Sequence, residues 1–342
     1  MPLTQKIYTF MADLGPSLMQ FLRDQQRCTA LLPALSHILH AVATAGKMVN
    51  STVRKLGLTN MIGSQGIHNP SGDVQQKLDL YAQACLVHML HTTGEVCAVL
   101  SEEVADVIPC NKGVGAYIVA LDPLDGSLNI ASNAAMGIIF SIYRRYSSGS
   151  TSIQKEDILQ AGSKQLAAGY ILYGTSTMLV YTACHGVHGF TYDPVMDDFF
   201  LSHPTIQMPQ EGRYYAVNDG YFSTFPNYVQ HYITQCRSKQ YAARYMGALV
   251  ADFHRHLMQG GIYLYPPTKK NPSGKLRLVL ECNALALIAE QAGGAAHNGK
   301  QAILTIQPQA IHQRVPLYIG AMCMVKKLVA GVARTTHHPH TA

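Results

Sequence analysis

Charge is scarce in this chain: only 13% of its 342 residues are Asp, Glu, Lys or Arg, against 48% hydrophobic. So little charge does not cover a surface alone, and contacts between subunits are an expected way to cover part of it. No run of five or more basic residues occurs, and no nucleic-acid motif is present. The net charge of +6 suits small anionic substrates better than a polynucleotide. No apolar stretch reaches about 18 residues, so no membrane span is expected. The opening MPLTQKIYTF lacks the basic-then-apolar pattern of a secretory signal. The closing His-Thr-Ala is not a peroxisomal address. None of the eight cysteines forms a Cys-x-x-Cys pair. That argues against a cysteine-ligated zinc site and for reduced, mostly buried thiols in a cytoplasmic protein.

What is present reads as a mixture of helices and strands. Leu35, Ile38, Leu39, Val42, Ala45, Val49 and Val53 recur at helical spacing and predict a long helix over 31–56. Pro33 fits its first turn, where the missing N–H does no harm. Residues 60–72 are polar and rich in Gly, Asn and Ser, and read as a mobile loop. A helix is predicted after it over 74–90. Strands are predicted over 96–100, 117–121, 137–143, 166–173 and 178–182, with a polar excursion over 147–164. The irregular segment 203–213, with two prolines, is the best boundary. Beyond it, 228–236 and 248–259 read as helices and 262–265 as a strand. A last helix over 277–291 ends at Gly293-Gly294. This is an α/β layout, in which chemistry at strand ends is natural.

The run AYIVALDPLDGSLNI is the most informative stretch. An apolar strand delivers Asp122, Pro123 stiffens the turn, and Asp125 follows. Carboxylates in one small volume repel and call for a counter-charge. Hard divalent cations take such oxygen ligands together with phosphate oxygens. Gly126 allows close backbone approach, and the amides of Gly126 and Ser127 suit an anion at a helix start. Taken alone, the pattern is better read as a strand-to-turn with solvated aspartates. Other acids change the weighting. Glu102 and Glu103 follow the apolar run 96–100, where one can be a ligand and the other a proton handler. Asp73 and Asp79 lie beside the proposed loop, and Glu281 follows Leu278–Leu280. Such a set makes a multi-metal carboxylate cluster for phosphoryl displacement if the residues converge. Downstream, Arg244, Tyr245, Tyr265, Lys269, Lys270, Lys275 and Arg277 supply cations and phenols that pair with phosphate. His254 and His256 read as core or solvated histidines.

The motifs DPLDGS, SEE, ARYMGALVAD, GGIYLYP, GKLRL, ECN and AGG, in this order, resemble class I fructose-1,6-bisphosphatase. DPLDGS alone marks the wider inositol monophosphatase-like superfamily; the later set, from Asn218 to Glu281, is more specific. The resemblance covers nearly the whole chain. It implies a layered α/β/α/β/α fold with mixed sheets, a cytoplasmic homotetramer, and hydrolysis of the 1-phosphate of fructose 1,6-bisphosphate in gluconeogenesis. Residues 1–27 read as a flexible arm, and the resemblance implies an N-terminal, allosteric-type domain over 28–204. A sugar-phosphate-binding domain over 205–334 would follow, and residues 335–342 read as a disordered tail. The implied metal ligands are Asp73, Glu102, Asp122, Leu124 through its carbonyl, Asp125 and Glu281. They would hold Mg²⁺, with Mn²⁺ or Zn²⁺ as alternatives. Asp79 and Glu103, with Asp73, would activate water. Asp125, Gly126, Ser127 and Lys275 would meet the 1-phosphate and sugar. Asn218, Tyr221, Tyr245 and Tyr265 would grip the 6-phosphate, with Arg244 reaching over from a neighbouring subunit.

The departures concern tuning and regulation. Leu128 stands where the family has a second Ser, Ala131 where it has Asp, and Ile62 where it often has an aromatic. The family's AMP site opens on Thr-Gly-Glu, which reads Leu32-Pro33-Ala34 here, and its Lys-Tyr pair reads Ala116-Tyr117. Only Ser36, Tyr117 and Arg144 remain as a degenerate AMP site. A charge-assisted phosphate hydrogen bond contributes roughly 1.5–3 kcal/mol, so losing several predicts weak or absent AMP inhibition. Sedoheptulose-1,7-bisphosphatase or dual activity is an alternative enzyme reading. A non-catalytic sugar-phosphate sensor or scaffold is the alternative of another class.

Overall fold

The computed structural model describes residues 14–28, 31–70, 72, 74–147 and 152–336. Helices α1 (Leu18–Cys28), α2 (Pro33–Val53) and α3 (Lys77–Thr92) come first, with a short hairpin, β1 (Ser64–His68) and β2 (Val74–Gln76), between the last two. Strands β3 (Val96–Ser101), β4 (Ile108–Pro109), β5 (Tyr117–Asp125), β6 (Met136–Arg144), β7 (Gln165–Tyr173), β8 (Thr177–Thr182), β9 (His188–Asp193) and β10 (Asp198–His203) form an eight-stranded sheet. A short helix α4 (Lys155–Ile158) interrupts them. The sheet order is β10-β9-β8-β7-β6-β5-β3-β4. Only the β3–β5 pair is parallel; the other neighbours run antiparallel.

A second, five-stranded sheet follows. It contains β11 (Tyr214–Ala216), β12 (Ala242–Ala243) and β13 (Ile262–Tyr265), then β15 (Ala295–His297) and β17 (Leu317–Gly320), in the order β12-β11-β13-β17-β15. The ribbon of β14 (Leu276–Arg277) with β16 (Arg314–Val315) stands beside it. Helices α5 (Asn227–Ser238), α6 (Leu249–Gln259), α7 (Asn283–Gln291) and α8 (Met322–Thr336) complete the chain.

Packing stacks these elements in layers. Helices α2 and α3 pair with each other and cover one face of the large sheet through β5 and β7. Helices α6 and α7 touch β6 and β7 on one side and β17 on the other, so they are sandwiched between the two sheets. Helices α5 and α8 close the far face of the small sheet. The arrangement is α/β/α/β/α, as the resemblance implied. It also explains the apolar runs. Eight of the nine residues of β5 are buried because helices cover both faces of its sheet. Helix α2 buries Ile38, Val42 and Val49 on the same sheet. Gly46 lets it come close: a Cβ there would lie 2.2 Å from Ile171 Cδ1.

Several expectations change. The first long helix spans Pro33–Val53, with Pro33 opening it. Leu18–Cys28 is a helix with Leu22 buried, although 1–27 read as an arm. Part of the expected loop 60–72 is strand β1, which recruits Val74–Gln76 as its partner and delays α3 to Lys77. The helix expected over 277–291 is split. Leu278–Cys282 is a π-helical turn, and regular α-helix begins at Asn283. Patterning by apolar spacing does not distinguish these windings. The expected tail lies mostly outside the described residues.

Candidate active site

The parallel pairing of β3 with β5 matches Ser101 to Leu121, so both strands end at the same edge. Glu102 follows one strand, and its N–H donates to the Leu121 carbonyl at 3.2 Å. Asp122 stands on the other, buried, with Oδ1 accepting from the Leu124 N–H at 3.0 Å. Residues three apart on a regular strand face opposite sides. The register shifts between Asp122 and Asp125, and both line one cavity. Gly126 has φ +82°, and a Cβ there would meet the Ala248 Cβ at 2.4 Å. Only glycine serves this turn.

The π-turn supplies Glu281, also buried. Ligand atoms of Glu102, Asp122 and Glu281 all lie within 4.8 Å of one another. Burial raises the proton affinity of each, opposed at Glu102 and Glu281 by the Arg277 guanidinium. Glu281 is pushed up to about 7, and Asp125, where the Val250 N–H opposes burial, to about 7. Arg277 Nη2 sits 2.8 Å from Glu102 Oε1, and Nη1 3.7 Å from Glu281 Oε2. A buried acid group of this size needs such a cation. The oxygen donors and their crowding fit hard divalent ions.

Asp79 stands in the first turn of α3. Its Oδ2 accepts from the Gln76 N–H at 2.7 Å, while buried Oδ1 has no hydrogen-bond partner among the described residues. Burial raises its pKa to about 8, with the Glu103 and Glu102 carboxylates adding to the shift. Glu103 lines the same cavity, its carbonyl held by Gln75 at 2.8 Å. Asn69 ties the β1–β2 hairpin to Glu102 at 3.3 Å.

The same cavity, about 360 Å³ in volume, is also lined by Ser127, Tyr245, Tyr265 and Lys275. Tyr263 stacks on Tyr265 with ring centres 6.2 Å apart. Burial pushes the Tyr245 phenol up to about 12, and Tyr265, Asp252, Asp125 and Tyr221 push the same way.

Both halves of the chain match family models: residues 17–204 match the fructose-1,6-bisphosphatase N-terminal domain and 208–333 its C-terminal domain. The chain belongs to the fructose-1,6-bisphosphatase family. It is 53% identical over 315 residues to the class 1 fructose-1,6-bisphosphatase of Amoebophilus asiaticus (strain 5a2), covering 92% of this chain and 95% of the relative. Its fold is similar to that of Leishmania major fructose-1,6-bisphosphatase, crystallised in holo form. The TM-score is 0.88 at 34% identity, over 94% of this chain and 99% of the other.

Not every residue expected from the family resemblance lines the cavity. Asp73 lies outside the described residues. Asn218 caps a 3-10 turn, its side chain accepting from the Gly220 N–H at 3.2 Å. Tyr221 is exposed, and Arg244 is exposed with Nη1 donating to the Ala243 carbonyl at 2.9 Å. The departure Leu128 stands at the mouth, 86% exposed. Of the residues expected to remain from an AMP site, Tyr117 pairs with Arg144 across β5–β6. Ser36 is buried and accepts from Gln26 Nε2 at 2.7 Å, which fastens α1 to α2. Sequence reasoning missed Asn69, Tyr263 and Arg314 as lining residues, and Arg277 as the counter-charge of the acids. Arg314 sits opposite Arg277 in the β14–β16 register, a pairing with no local signal.

Proposed function

We propose that this chain hydrolyses the 1-phosphate of fructose 1,6-bisphosphate to fructose 6-phosphate and phosphate, as a cytoplasmic homotetramer serving gluconeogenesis. The observation that carries this reading is one cavity lined both by buried carboxylates and by Lys275, Tyr245 and Tyr265. Such a cavity separates two anionic tasks: displacement at a metal-rich end and anchoring at a hydrogen-bonding end.

Glu102, Asp122, Asp125, Glu281 and the Leu124 carbonyl would hold divalent ions, Mg²⁺ first, with Asp73 joining them. Bound ions supply charge neutralisation and an activated water. Asp79, with its unpartnered Oδ1 and raised proton affinity, accepts the proton of the attacking water, and Glu103 assists. Water oxygen bonds to phosphorus as the bond to the sugar oxygen breaks, and that oxygen takes up a proton from solvent to leave as the alcohol. Gly126, Ser127 and Lys275 orient the phosphate that leaves. Asn218, Tyr221, Tyr245 and Tyr265 anchor the 6-phosphate, and Arg244 reaches a neighbouring subunit's substrate. No nucleic-acid or membrane partner enters this reading.

Phosphate release from fructose 1,6-bisphosphate and sedoheptulose 1,7-bisphosphate, with Mg²⁺ and with EDTA, tests it. Binding without release of phosphate from either sugar would overturn it in favour of a sensor. AMP inhibition is expected to be weak or absent, because Ala116 replaces the family's cation, Pro33 removes one backbone donor and Gln26 occupies the Ser36 hydroxyl. An AMP titration showing inhibition as tight as in a typical animal member of the family would refute this.

A further inference from the structure

Residues 244–247 carry Arg244 and Tyr245 but belong to no helix or strand. Apart from the Arg244 N–H, which donates to the Tyr215 carbonyl at 2.9 Å, their peptide groups are held by side chains. Asp252, fully buried on α6, accepts from the Met246 N–H at 2.9 Å and the Gly247 N–H at 3.3 Å. Arg255 Nη1 donates to the Arg244 carbonyl at 3.3 Å and lies 3.4 Å from Asp252 Oδ1. From the opposite side comes Asn129, three residues beyond Gly126. Its Nδ2 donates to the Met246 carbonyl at 3.2 Å and to the Ala135 carbonyl at 2.8 Å.

Two more links join the same segments. The Val250 N–H donates to Asp125 Oδ2 at 2.6 Å. Gly126 makes room for Ala248, as described above. The turn bearing the acids and the turn bearing Tyr245 are therefore cross-braced at Asp125, Gly126 and Asn129. A substrate with two phosphates has its own fixed spacing, and a loosely held turn would lose affinity to ordering.

We infer that Asn129 and Asp252 are positioning residues that set the distance between the site of phosphate hydrolysis and the anchor for the second phosphate. This rests on the reading of the substrate as a sugar bisphosphate. Asn129 is a strut through its amide donors; an aspartate there would turn both contacts into repulsion between oxygens. Asp252 is a clamp, since only an acceptor satisfies two adjacent N–H groups.

The test uses the full-length chain with Asn129→Ala and, separately, Asp252→Asn. Calorimetry measures fructose 6-phosphate, which carries only the distal phosphate. Kinetics give the ratio of kcat/KM for fructose 1,6-bisphosphate to that for fructose 1-phosphate. For Asn129→Ala we expect fructose 6-phosphate to bind about tenfold more weakly and the ratio to fall about tenfold. Asp252→Asn keeps one acceptor and should move both readouts the same way by less. An Asn129→Ala protein that melts like the wild type but keeps both readouts overturns the inference. So does an equal loss on both sugars, since that is a general structural effect. If Asn129→Ala does not fold, Asp252→Asn decides by the same readouts. A wild-type chain that releases no phosphate from the bisphosphate refutes the functional reading instead, while normal wild-type turnover with unmoved variants refutes only the strut.

Discussion

The acid end of the cavity and its phenolic end are built by different means. The acid end lies where β3 and β5 finish, with Asp79 from the start of α3 and Glu281 from the π-turn. Its carboxylates are nearly all buried and destabilise one another, and Arg277 relieves them from within. The phenolic end rests on an irregular turn held by side chains, and Tyr245 is 40% exposed. The difference teaches where preorganisation costs stability. Holding several like charges together needs rigid strand and helix ends; holding a hydrogen-bonding anchor needs only a braced turn.

Four substitutions would break or sharpen that contrast. The largest effect is expected at Asp125. Asp125→Ala should lower phosphate release by about a thousandfold or more, because a proposed metal ligand and the α6 link are both lost. Steady-state phosphate release measures this, and survival of activity would remove the acid end as the reacting end. Next is Arg277→Met. In EDTA it leaves Glu102 and Glu281 without their cation, and urea unfolding should show a loss of about 3–5 kcal/mol. Saturating Mg²⁺ should recover more stability for the variant than for the wild type. Equal losses with and without Mg²⁺ would mean that Arg277 and the ion do not share a task.

Lys275→Met tests the cation proposed to meet the phosphate that leaves. It should raise KM for the bisphosphate roughly 10- to 100-fold with little change in melting temperature, since an ammonium at the cavity contributes a charge-assisted contact. An unchanged KM would remove Lys275 from the substrate contacts. The smallest effect is the pH slope of Asp79. Its folded pKa, about 8, lies above the ordinary 3.8, so the folded state holds the proton more tightly. That stabilisation is full below the unfolded value and is lost as pH rises toward about 8. Melting temperatures of the metal-free protein should therefore decline across that window, and Asp79→Asn should flatten the decline. An unchanged slope would show that Asp79 is ionised throughout.

Legibility follows how local each signal is. Strands β3, β5 and β6 were readable because helices cover both faces and force continuous apolar runs. Asp122, Asp125 and Glu102 could be placed at strand ends for the same reason. The β9–β10 hairpin and α8 were not read, and α1 was absorbed into an arm, because their burial depends on partners distant in sequence. Arg277 was legible as a cation but not as the partner of Glu102, 175 positions away by subtraction of their numbers.

The sequence by itself determined the residue chemistry: an acid-rich set at the ends of apolar segments, a glycine where the turn needs positive φ, and a family-specific order of motifs. Periodicity and composition act within a few residues, so they carry that much. Tertiary structure alone decided which acids meet, that Glu281 rides on a π-turn, and that Arg277 neutralises them. It also decided that Asn129 and Asp252 brace the two ends. Those facts depend on close packing between β5, α6 and the ribbon that bears Arg277, and no local pattern encodes a distance between segments so far apart in the chain.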